Sequence, residues 1–73
     1  MREVEISGES IELYKLLKLD GMAASGGEAK AVIAEGLVFV NGSVETRKRK
    51  QIFSGDIVKF RSEEIRVQLI NNK

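Results

Sequence analysis

A chain of 73 residues, 42% hydrophobic and 32% charged, with no proline, reads as one folded unit. A domain of that size buries only about 60% of the surface its unfolded chain exposes, which leaves little room for a deep substrate cavity. The absence of cysteine and histidine excludes disulfides, thiolate and imidazole metal ligands, Cys-His and Ser-His nucleophile pairs and the usual near-neutral general base. No pair of carboxylates has the spacing of a Mg²⁺ or acid-base site, so the expectation is a protein that is not an enzyme and needs no metal or cofactor. The net charge of +1 hides a division: residues 1–36 carry four basic and seven acidic side chains, residues 37–73 eight and four.

The N-terminus alternates charged and apolar residues and is not a signal peptide; no run approaches the roughly 18 apolar residues of a membrane span. The cytoplasm is the default expectation. Val4 and Ile6, alternating with Glu3 and Glu5, have the period of a strand with one buried face. Ser7-Gly8 ends it, and Ser10 stands as the cap of a helix over 11–19. Leu13, Leu16 and Leu17 form that helix's core-facing stripe, Ile11 and Tyr14 widen it, and Lys15 and Lys18 complement the negative carbonyl end.

Asp20-Gly21 stops the first helix, and Ser25 with Glu28 matches the S-x-x-E capping box that opens a second. Gly26 and Gly27 are read as architectural, starting that helix with close packing. Ala29, Val32 and Ile33 face the first helix, Gly36 takes the left-handed conformation that ends the second, and Lys30 points away from the stripe. Residues 37–40 form a strand, Asn41-Gly42 a tight hairpin turn and Ser43-Val44-Glu45 the return strand. Gln51-Ile52-Phe53 resumes apolar character, Ser54-Gly55-Asp56 turns the chain, and a strand over 57–61 places Val58 and Phe60 inward. Ser62-Glu63-Glu64 makes the next turn, Ile65, Val67 and Leu69 face the core from a last strand, and Asn71-Asn72-Lys73 frays. The architecture implied is α+β: two packed N-terminal helices against a small, mostly antiparallel sheet that the first strand joins.

Arg47-Lys48-Arg49-Lys50 is the strongest local feature, because folding gains nothing from such like-charge crowding whereas nucleic-acid phosphates reward it through counterion release. The alternative for this run is a solvated loop that serves solubility. Gly26-Gly27 at a helix start suggests an anion site, but the Ser25–Glu28 box engages some of the amides there and sets a carboxylate beside them. Tyr14, Phe39, Phe53 and Phe60 fit core positions better than stacking platforms, which favours duplex or structured RNA over single strands.

Leu13 through Leu17, Ser25-Gly26-Gly27-Glu28-Ala29-Lys30, Ile33, Gly36, Val38, Val40-Asn41-Gly42, the Glu45-Thr46-Arg47-Lys48-Arg49 run and Gly55-Asp56 occur in an order and spacing that resemble the alpha-L RNA-binding domain. That domain is known from ribosomal small-subunit protein S-four and recurs in tyrosyl-tRNA synthetases and pseudouridine synthases. The likeness covers roughly residues 10 to 61, and the SGGEAK and ETRKR forms look most like the short stand-alone bacterial members. It implies an RNA-binding domain; with the lack of catalytic residues, the expectation is a non-catalytic single domain over 1–73 that binds ribosomal or other structured RNA, associates with the ribosome and is a monomer. By position it implies phosphate contacts from Lys30, Arg47, Lys48 and Arg49, with Lys50 beside them and Lys18 secondary. The chain departs from the pattern at Gly26, where many members carry Arg, and at Gln51, where a basic residue is common. The alternative is a protein-interaction module or targeting subunit that docks its dipolar surface or a sheet edge on an acidic partner.

Overall fold

The computed structural model describes residues 1–70; the expectation for Asn71-Asn72-Lys73 lies outside the described residues. In chain order the elements are β1 (Arg2–Ser7), β2 (Ile11–Glu12), α1 (Leu13–Leu19), α2 (Gly26–Ala34), β3 (Val38–Val40), β4 (Ser43–Val44), β5 (Gln51–Ile52), β6 (Ile57–Phe60) and β7 (Glu63–Ile70). Five strands form one sheet in the order β1-β7-β6-β3-β4, and β2 pairs with β5 in a two-stranded ribbon. Every pairing is antiparallel except β1 with β7, where Val4 lies opposite Val67 and Ile6 opposite Leu69. The fold is therefore α+β with two helices and a mostly antiparallel sheet.

The inner face of the sheet carries Ile6, Val38, Val40, Val58, Phe60, Ile65 and Val67, all buried, and the helices close over it with Leu13, Leu16, Leu17, Ala29, Val32 and Ile33. Leucines at i, i+3 and i+4 of α1 and the matching set on α2 lie on one face of each helix, which fixes how the pair rolls against the sheet. Among the described residues no polar or charged one is buried, so hydrophobic burial holds this core together.

The first helix is shorter than its apolar spacing suggests. Ile11 and Glu12 are extended and pair with Ile52 and Gln51, and Ser10 donates its hydroxyl to Gln51 Oε1 at 2.7 Å instead of capping a helix. Glu12 occupies the N-cap position with no side-chain cap bond, and α1 begins at Leu13. Ile11 still packs against the core from its strand position, which is why a helical period and a strand-to-helix junction look alike here.

At α2 the Ser25 hydroxyl accepts from the Glu28 amide at 3.1 Å, and the Glu28 carboxylate accepts from the amide of Ala24, one residue before the cap. Gly36, at φ 77°, ends the helix in a Schellman arrangement: its amide donates to Ile33 and that of Leu37 to Val32. Close packing does not explain Gly26 and Gly27. A Cβ on Gly26 would meet nothing within 4 Å, and one on Gly27 only the Ser25 hydroxyl at 3.9 Å.

Asn41 (φ 52°) and Gly42 (φ 85°) form the type I′ turn between β3 and β4, and the Asn41 side chain also accepts from Ile57 N–H and donates to Asp56. Glu45 lies just beyond the short return strand. The second hairpin turns at Arg61-Ser62, with Glu63 and Glu64 already paired opposite Phe60 and Lys59. Arg61 takes φ 59° and lays its guanidinium over the Phe60 ring, and the Lys59–Glu64 charge pair favours that register.

Only Phe60 among the aromatics is a core residue. Tyr14 is half-buried at the core's edge, Phe39 is half-buried on the outer sheet face opposite Lys59, and Phe53 is 54% exposed. Phe53 faces out because Ile52 fills the inward position of β5 and the next residue points the other way.

The α2 start provides a direct check. Replacing Ser25 by Ala is expected to cost about 1 kcal/mol of unfolding free energy through the lost cap. Gly27→Ala is expected to leave stability unchanged or raise it by up to about 1 kcal/mol, because the space is open and alanine is the better helix former. Urea unfolding midpoints of the two variants decide both.

Candidate nucleic-acid interface

The basic run sits on the segment between β4 and β5, and that segment is fastened to the beginning of α1. The amide of Leu13 donates to the Lys50 carbonyl at 2.9 Å and that of Tyr14 to the Lys48 carbonyl at 3.0 Å, so the backbone of the run caps a helix that lacks a side-chain cap. A turn closed by Lys50 N–H on the Arg47 carbonyl shapes the segment. With these carbonyls turned toward the helix, Arg47, Lys48 and Arg49 stand exposed and Lys50 half-buried.

Two carboxylates place the arginines. Glu45 accepts three hydrogen bonds from Arg47: from Nε at 2.9 Å, from the backbone amide at 3.0 Å and from Nη2 at 3.2 Å. Glu12, at the start of α1, bridges Lys15 at 3.0 Å and Arg49 at 3.8 Å. The Arg47 side-chain bonds hold the Glu45 carboxyl at about 2, well below its ordinary 4.5, with the Arg47 amide and the Arg47 and Lys50 charges acting in the same direction against the effect of burial. The same pair raises the Arg47 pKa, and the hydrogen bond that Lys15 donates to the Glu12 carboxylate raises that of Lys15. Among the described residues Lys18, Lys30, Lys48 and Lys50 make no ion pair, so their ammonium groups are available to an anion.

Tyr14 joins the run to the helices. Its amide is bonded to Lys48, while the Lys30 ammonium of α2 lies 4.7 Å from the centroid of its ring. Lys18 sits one turn further along α1, in a groove shared with Tyr14 and Gly26. Lys18 on α1, Lys30 over the Tyr14 ring and the basic run through the Leu13 and Tyr14 amides are thus each tied to α1, whereas Ser25 and Glu28 open α2, Gly36 ends it and Asn41 and Gly42 turn the β3–β4 hairpin. Sequence reasoning overlooked Glu12, Tyr14 and Glu45 as parts of this surface. Glu12–Lys15 at i, i+3 and Glu45–Arg47 two residues apart were the available signals.

Fold and surface define a small α+β domain that displays a cationic loop docked on a helix pair. The chain belongs to the S4 domain family, whose sequence model matches residues 4–68. It is 51% identical over 57 residues to Putative RNA-binding protein YbcJ of Escherichia coli K12, covering 78% of this chain and 81% of that one. Identity to Probable ribosome maturation protein RlbA of Bacillus subtilis 168 is 36% over 57 residues, covering 78% and 80%. The solution structure of YbcJ from E. coli, described as revealing an alpha-L motif involved in RNA binding, superimposes with a TM-score of 0.71 at 43% identity over 93% of this chain and 87% of that one. The crystal structure of 30S ribosomal protein S4e from Thermoplasma acidophilum matches with a TM-score of 0.62 at 25% identity, over 81% of this chain and 31% of that one.

The Glu45–Arg47 clamp has a pH signature. Because the folded carboxyl titrates below the unfolded one, its ionised form stabilises the fold above the ordinary 4.5, and that contribution fades as pH falls toward about 2. Glu45→Gln is expected to lower stability at neutral pH by at most about 1 kcal/mol. The difference from the parent, followed by urea unfolding across this range, should vanish near pH 2.

Proposed function

We propose that this domain is a non-catalytic RNA-binding protein that grips the phosphates of structured RNA, ribosomal RNA in the first instance, with Lys18, Lys30 and the Arg47 to Lys50 run. The observation that carries this reading is the docking of the basic run on α1 through the Lys48 and Lys50 carbonyls, with Arg47, Lys48 and Arg49 exposed and Lys50 half-buried. Clustered cations held in place release counterions from an RNA backbone on binding, and arginines already oriented by Glu12 and Glu45 lose less freedom when they meet a phosphate. The names of the E. coli and B. subtilis relatives, an RNA-binding protein and a ribosome maturation protein, support the same partner. On this reading the domain acts as a monomer, in the cytoplasm where ribosomes assemble.

The test is a salt titration of binding to a folded ribosomal RNA fragment. Log K should fall by about 0.7 to 0.9 per phosphate contact for each tenfold rise in salt. Changing Arg47, Lys48 and Arg49 together to Ala should weaken binding at low salt and reduce the slope by about 2 to 3, with an unchanged circular dichroism spectrum. An unchanged slope would remove these residues from the interface.

A further inference from the structure

We infer that the groove between α1 and the start of α2 receives one unpaired nucleotide of the bound RNA, a subsite distinct from the phosphate contacts; this inference rests on the RNA-binding reading above. The groove, of about 600 Å³, is lined by Ile11, Tyr14, Lys15, Lys18, Leu19 and Gly26. Its volume lies within the roughly 300–1,000 Å³ of small-ligand sites. Its lining combines Ile11, Tyr14 and Leu19 with two lysines, of which Lys15 is paired with Glu12 and Lys18 makes no ion pair among the described residues.

Two features of the groove have no use in folding. Leu19 is 65% exposed in the last turn of α1, although Leu13, Leu16 and Leu17 already supply that helix's core contacts. Gly26 occupies the first position of α2, where glycine costs helix stability and neither a positive φ nor a close neighbour calls for it. What the missing side chain does is leave the groove open opposite Leu19 and Tyr14.

The ligand that answers this lining carries a flat apolar ring and a negative charge. An unpaired nucleotide has both: its base packs among Ile11, Tyr14 and Leu19 while Lys18 and Lys30 meet the flanking phosphates. Proteins that recognise structured RNA take hold of splayed-out bases in this way, and aromatic contact is tolerant of base identity. A paired base has no access to such a groove. Because the Tyr14 amide is bonded to Lys48, the groove and the basic run are parts of one surface, and a bulge beside a stem can reach both.

The test compares three RNA hairpins with one stem by fluorescence anisotropy: fully paired, with a single bulged nucleotide, and with an abasic sugar at the bulge. The bulged hairpin should bind about 10-fold more tightly than the other two, the scale of one base–aromatic contact. Gly26→Leu, which fills the groove, and Leu19→Ser, which removes a wall, should each abolish that preference while binding the paired hairpin like the parent, since neither changes a charge. Equal binding of all three hairpins by the parent, or a preference that survives Gly26→Leu, overturns the inference and leaves the groove to an apolar side chain of a protein partner. Failure of every hairpin to bind would instead overturn the RNA reading, and this inference with it.

Discussion

The arrangement depends on how the open end of a seven-residue helix is closed. A helix start exposes amides that need acceptors, and α1 has no capping side chain. The carbonyls of Lys48 and Lys50 take the Leu13 and Tyr14 amides, and this requires the segment after β4 to lie along the helix end. The β2–β5 pairing on one side and the Glu45 amide on the Val38 carbonyl on the other hold the two ends of that segment. A stretch that could have been a floppy cationic loop therefore becomes part of the helix cap, and Arg47, Lys48 and Arg49 are left exposed.

That geometry carries an electrostatic cost, because four cations crowd the end of a helix that already bears partial positive charge. The carboxylates of Glu12 and Glu45 offset it locally. Glu12 sits where an acidic group best complements the helix start and also reaches Lys15 and Arg49, while Glu45 holds Arg47 by three bonds. The two carboxylates are largely covered while the side chains of Arg47 and Arg49 stay 71% and 70% exposed, so the arginines are oriented without being withdrawn from solvent. The lysines between and beyond them supply the unpaired charge.

Much of this was legible in the chain because its signals are local. The Ser25–Glu28 box, the Gly36 stop and the Asn41-Gly42 turn are short-range devices whose residues specify one backbone conformation each, and the leucine spacing of α1 and the strand alternation marked the core faces. What was not legible depends on distant partners. Ile11-Glu12 becomes a strand because Gln51-Ile52 is there to pair with it, and β1 runs parallel to β7 because the rest of the fold lies between them. Phe53 reads as apolar core but follows an inward Ile52 and so faces out. The basic run was visible as charge; that its carbonyls cap α1 was not, since backbone acceptors leave no mark on composition. The openness over Gly26 could be seen only once the neighbouring helix was placed.

If the basic run and the exposed side of α1 meet RNA as proposed, they do so as one surface. The most direct test of this is an NMR titration of the labelled domain with a folded ribosomal RNA fragment, following every backbone amide. The account predicts that shifts concentrate at Tyr14, Lys18, Lys30 and Arg47 through Lys50, with the outer sheet face at Phe39, Lys59 and Glu64 unmoved. Shifts centred on that outer face, with the amides of the basic run unaffected, would contradict it.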